Sequence, residues 1–78
     1  MAESIQEGIK VIAIFDRGIT PVKFRWRGRL YAIKEVTHSW SSVEGASNIL
    51  HFSVTDGASL FELAYNRSSL SWSIEAAE

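Results

Sequence analysis

Residues 50–74, LHFSVTDGASLFELAYNRSSLSWSI, decide the fold of this chain. Leu50, Phe52 and Val54 alternate with His51, Ser53 and Thr55, the period-two pattern of a strand with one face buried. Asp56-Gly57 follows, the strongest short hairpin signal in the sequence. A two-residue turn there sets Phe52 opposite Phe61 and Leu50 opposite Leu63. A four-residue loop at residues 66–69 then sets Tyr65 opposite Leu70, Leu63 opposite Trp72 and Phe61 opposite Ile74. Two separate turns thereby stack the same side chains into rows, Leu50 with Leu63 and Trp72, and Phe52 with Phe61 and Ile74. A slip of one residue would turn all of them outward.

The pattern extends toward the N-terminus. In residues 29–40, Tyr31 and Ile33 share one parity, whereas Val36, His38 and Trp40 share the other. The switch at Lys34-Glu35 predicts a β-bulge or sharp bend, the corner a small barrel needs where one strand serves two sheets. Residues 41–47 read as a loop. In residues 22–26, Val22, Phe24 and Trp26 face one way and Lys23 and Arg25 the other. A two-residue turn at Arg27-Gly28 sets Phe24 opposite Tyr31 and Val22 opposite Ile33. Arg suits the first position of a type I′ turn poorly, so a longer loop with Gly28 left-handed is equally open. Asp16-Arg17-Gly18 with Thr20-Pro21 reads as a loop. Residues 9–15 form a first strand, apolar on both faces, which must be sandwiched or paired in an interface.

Residues 1–8 and 76–78 are expected to fray. Ser4 and Glu7 have capping-box spacing, but Gly8 leaves room for one turn at most. The sum is one all-β domain over residues 1–78. About six short antiparallel strands form a small SH3-like barrel or a strongly curved meander sheet. An OB-like barrel ranks lower because no helix interrupts the strands.

Composition agrees with a packed but thin core. The 78 residues are 46% hydrophobic and include three Trp, two Tyr and four Phe. A chain this short buries only about 60–65% of its unfolded surface. It has no cysteine, so neither a disulfide nor a thiolate metal site reinforces it. No stretch approaches the length of a membrane span, and residues 9–15 follow acidic rather than basic residues, so they make a poor signal peptide. A cytoplasmic location is the expectation. The net charge of −1 hides an asymmetry. Seven of the eight basic residues lie between Lys10 and Lys34 with one acid, Asp16, whereas Arg67 stands against six acids from Glu35 onward.

Little in the chain is arranged for chemistry. His38 and His51 fall on neighbouring strands, but their parities place them on opposite faces, and two histidines without a carboxylate or thiol cluster make no metal site. His51 opposite Glu62 reads as a surface cross-strand pair. The serines stand in no nucleophile-elbow context, and the glycines are isolated turn residues rather than a phosphate-cradling loop. No catalytic residue, metal ligand or cofactor is expected, and the chain reads as non-enzymatic. The feature with positive content is the basic hairpin: Lys23, Arg25, Trp26, Arg27, Arg29 and Lys34, with Phe24 and Tyr31 among them. Cations for phosphates and rings for bases are what single-stranded nucleic acid binding uses. Alternation sets most of the rings on the face opposite the charges, which leaves Trp26, near the strand end, free to stack; the partner of such a hairpin is nucleic acid or an acidic protein surface. A solvated basic edge that resists aggregation is the reading without a partner. Self-association, including a homodimer, is the further alternative, through the edge of the first strand or between the basic hairpin and the acidic half.

Pro21, Phe24, Trp26, Arg27, Gly28, Arg29, Tyr31, Ile33, Val36 and Trp40 spell P-x-x-F-x-W-R-G-R-x-Y-x-I-x-x-V-x-x-x-W. With Phe52 and Val54, Gly57 with Phe61-Glu62-Leu63, and Trp72 with Ile74, this order resembles a small uncharacterised bacterial family, a domain of unknown function. The resemblance spans roughly residues 9–74 and rests on core and turn positions, so it speaks for fold rather than activity. A similar aromatic pattern recurs in the tail of Y-family-polymerase-like mutagenesis proteins, which implies a DNA-repair setting. Trp72-Ser73-Ile74 running into an acidic end departs from those tails, which carry a histidine and a glycine.

Overall fold

The computed structural model describes residues 3–78, which form seven strands and no helix: β1 Glu3–Phe15, β2 Ile19–Trp26, β3 Arg29–Ala32, β4 Glu35–Glu44, β5 Ser47–Thr55, β6 Leu60–Asn66 and β7 Ser71–Ala77. All pair antiparallel in one sheet of order β3-β2-β1-β7-β6-β5-β4. The count exceeds the expected six because the bend at Lys34-Glu35 separates β3 from β4. The sheet is not closed, which corrects the SH3-like barrel and leaves the strongly curved sheet. Ile33 N–H donates to Val22 O at 2.9 Å and Lys34 N–H to Thr55 O at 2.8 Å, so the chain touches both ends of the sheet as it crosses. Beyond that point β4 is laddered to β5 alone.

Curvature comes from β1, which serves two partners. Residues 3–9 pair with β7 and residues 10–15 with β2. The β1–β3 leaf consequently folds over the β4–β7 leaf. Phe24 and Tyr31 each place a ring 5.2 Å from that of Phe61, although β2 and β3 are remote from β6 in the strand order. Phe24, Phe52, Val54, Phe61, Leu63, Tyr65 and Ile74 form the core between the leaves. Pro21 is buried in β2 beside an irregularity opposite Ile12/Ala13, a place where a ladder tolerates a residue without an N–H. The expected loop is thus limited to residues 16–18, with Arg17 and Gly18 at positive φ.

The rows of the deciding stretch keep their face and shift along it. The observed partners are Phe52 with Leu63, Leu63 with Ile74, Leu50 with Tyr65, and Tyr65 with Trp72. Each differs from the expected partner by two residues, which preserves parity. The cause is the same device used twice. Asp56 Oδ1 accepts from Ala58 N–H at 2.9 Å and Ser59 N–H at 2.7 Å, and Asn66 Oδ1 from Ser68 N–H at 2.9 Å and Ser69 N–H at 3.1 Å. Each side chain organises four connecting residues, 56–59 and 67–70, where a two-residue turn and residues 66–69 were expected. At Arg27-Gly28 the tight turn does form. Both residues have positive φ, 51° and 76°, and Phe24 pairs with Tyr31.

The ends are laddered rather than frayed. Residues 3–8 begin β1, and a bulge at Gln6, φ 58°, stands where the capping-box spacing left room for a helical turn. Ala76 and Ala77 belong to β7, and Glu78 N–H donates to Leu60 O at 2.8 Å. The expectation for residues 1 and 2 lies outside the described residues.

Candidate interaction surface

The six residues of the expected basic site do not form one patch. Trp26 sits half-buried at the rim, its indole N–H donating to Glu7 Oε1 at 3.1 Å and its ring tilted against Tyr31 and edge-on to Phe61. Arg27 reaches the same carboxylate, with Nη2 2.7 Å from Glu7 Oε2, and lies over the Trp26 ring at 4.6 Å. Those contacts hold the Glu7 carboxyl below its ordinary value, the Arg27 hydrogen bond first and the Trp26 one second. Arg29 lies over the Tyr31 ring at 5.7 Å and adds a small attraction to Asp56. The Lys34 side chain lies against Gly57 at the corner.

Lys23 and Arg25 remain on the outer face of the β1–β3 leaf, and Lys10 joins them. Cross-strand neighbours there are Lys10 with Arg25, Arg25 with Leu30, Ile12 with Lys23, and Lys23 with Ala32. Three cations stand among exposed Ile12, Ile14 and Leu30, and none of the three has an ion-pair partner among the described residues. The rings of Phe24, Trp26 and Tyr31 face the interior of the fold, so none is offered to a nucleobase on this face. Lys10 was missed as a site residue. Its signal was parity, because it precedes Ile12 and Ile14 by even steps.

The outer face of the other leaf is different. The ladder from β4 to β5 shifts between Val36 and His38, so Val36 packs inward while His38 turns out to the side of His51. The two histidines therefore share a face, correcting the expectation of opposite faces, with the Trp40 ring between them. That ring is stacked on His51 at 5.1 Å and tilted to His38 at 5.3 Å. Trp40 makes His51 a buried residue rather than a surface one. Ser42 Oγ lies 2.7 Å from His51 Nε2, and Glu62 Oε2 lies 3.6 Å from Nδ1, reached diagonally because His51 pairs with Ala64. Serine, histidine and carboxylate thus stand in the order of an acyl-transfer triad. The Glu62 contact is too long for a hydrogen bond, Ser42 lies on an ordinary strand, and the adjoining cleft is lined by Glu44 and Glu75 together with Asn66, Ser71 and Ser73. No group of three metal-ligating side chains occurs among the described residues.

A domain of unknown function, DUF6504, matches residues 1–74. The chain belongs to the DUF6504 family. No curated protein and no solved structure matches it. The region matched to DUF6504 takes in β1 through β6 and most of β7, so it includes the cationic outer face and both capped loops. In this DUF6504 chain no helix among the described residues is long and apolar enough to cross a membrane.

Proposed function

We propose that the protein is a non-enzymatic binding module whose β1–β3 outer face docks on an acidic protein surface. The observation that carries this is the company of Lys10, Lys23 and Arg25: exposed Ile12, Ile14 and Leu30, and no carboxylate in the cross-strand rows. Cations interspersed with aliphatic side chains suit a protein partner, which offers carboxylates and apolar groups together. A nucleic acid would be held there by phosphates alone, because no ring is available for stacking. The likeness of the aromatic pattern to the tail of some Y-family-polymerase-like mutagenesis proteins would put such a partner in a DNA-repair setting.

Fluorescence anisotropy with a labelled polyglutamate chain and a labelled mixed-sequence single-stranded oligonucleotide tests the reading. Polyglutamate should bind, weaken with added salt and be lost on Lys23→Glu/Arg25→Glu. Tighter binding of the oligonucleotide would move the function to nucleic acid. Failure of both probes would remove the basic face from consideration.

A further inference from the structure

The outer half of β1 lacks a strand partner on one side among the described residues, although β1 lies in the middle of the sheet. Its residues 10–15 are laddered to β2 on one side, while pairing with β7 stops at Ile9. Among the described residues no backbone hydrogen bond reaches the other side of residues 11–15. β1 and β7 diverge there, opening a cleft of about 690 Å³ lined by Ile9, Lys10, Val11, Leu70 and Trp72. The strand is apolar on both faces, yet Ile12, Ile14 and Phe15 are 62%, 58% and 63% exposed. An unpaired edge flanked by exposed aliphatic side chains is a template for another strand.

The segment also states which strand fits. Residues 10–16 read Lys-Val-Ile-Ala-Ile-Phe-Asp, a cation, five apolar residues and an anion, with alanine at the centre. Laid antiparallel against itself about Ala13, it brings Lys10 opposite Asp16, Val11 opposite Phe15 and Ile12 opposite Ile14. Each ion pair and each apolar pair then occurs twice, as a two-fold contact demands. The register is even, so inward residues meet inward ones and outward meet outward. Ala13, the smallest side chain, falls where two copies approach on the axis.

We infer that the protein forms a two-fold dimer by antiparallel pairing of residues 10–16 of β1 with the same residues of a second copy. The two β1–β3 leaves become one six-stranded sheet, and Lys23 and Arg25 of both copies share its outer face. The dimer draws Lys10 into its seam and does not depend on what Lys23 and Arg25 bind.

Sedimentation equilibrium of the full chain, from about 1 μM to about 1 mM, reads the association directly. The wild type should pass from monomer to dimer. Lys10→Asp and Asp16→Lys each set like charges opposite one another at both ends, and each should weaken association about tenfold. An equimolar mixture of the two variants should recover it, because opposite charges then meet at both ends. Ile14→Lys, at an exposed position that leaves the core intact, should also leave a monomer. Lys23→Glu, off the pairing edge, should leave the dimer as it was. A wild type that stays monomeric throughout, single variants that associate like the wild type, or a mixture no better than its components would each overturn the inference. Loss of polyglutamate binding with the dimer intact would touch only the docking face.

Discussion

Glu7 governs how two of the expected binding residues are used. It comes from a segment with the composition of a frayed end, yet its carboxylate takes the indole N–H of Trp26 and the guanidinium of Arg27. Nothing local in the sequence signals a contact across about twenty positions, and this is why Trp26 and Arg27 read as available. The carboxyl is held below its ordinary value in the folded protein, chiefly by Arg27. A depressed carboxyl stabilises the fold above the ordinary carboxylate range, and that contribution is lost as pH falls through the folded-state value. Glu7→Gln should therefore lower the melting temperature at neutral pH. The gap to wild type should close in acid, as thermal melts over a pH series would show. No gap at neutral pH would mean that the indole contact, which glutamine can still accept, and not the charge is what Glu7 contributes.

At the level of elements, the sequence showed which face nearly every strand buries but not how far its partner slides. Parity comes from side-chain alternation alone, whereas the partner depends on how many residues a loop holds and where it starts. By accepting two amides each, Asp56 drew four residues into the first loop and Asn66 set the second, also of four, one position on, a competition that the Asp-Gly signal does not reveal. Gly57 shows how tightly one of these loops meets the corner. Its φ is +100°, and an added Cβ would lie 3.0 Å from Lys34 Cδ. Gly28, also at positive φ, has open space around it. Gly57→Ala should cost about 1 kcal/mol for the backbone conformation, with a smaller addition as the flexible Lys34 side chain moves aside. Gly28→Ala should show the backbone cost alone, and urea unfolding of the two variants would separate the terms. The shift beyond Val36 is the other local surprise: one irregularity in β4 moved His38 to the side of His51 and built a buried histidine where a surface pair was expected.

On the scale of the molecule, stability rests on two leaves closing over one set of rings. Phe24, 1% exposed, is the β2 residue that meets Phe61 on the other leaf and stacks on Tyr31 at 4.9 Å. Phe24→Ala should cost about 3–5 kcal/mol, a large part of the stability of so small a domain. Leu30→Ala, on the exposed outer face of the same leaf, should change it by no more than about 0.5 kcal/mol. Urea midpoints of the two variants decide whether the leaves depend on each other. Equal small effects would mean that the leaves are held by the β1 ladder rather than by the rings. The charge asymmetry read along the chain becomes an asymmetry in space for a topological reason. The sheet order keeps β1 to β3 together on one side of the fold, so Lys10, Lys23 and Arg25 share its outer face, while Arg27, Arg29 and Lys34 are drawn to the rim and the corner.

Alternation and turn chemistry by themselves determined an all-β fold and the inward face of nearly every strand, because these depend on neighbours a few residues apart. Tertiary structure alone decided that the sheet stays open, that β1 divides between two partners, that Glu7 occupies Trp26 and Arg27, and that Lys10 stands with Lys23 and Arg25. Each of those joins segments far apart in the chain, and their meeting depends on loop lengths and bulges that no periodic pattern records.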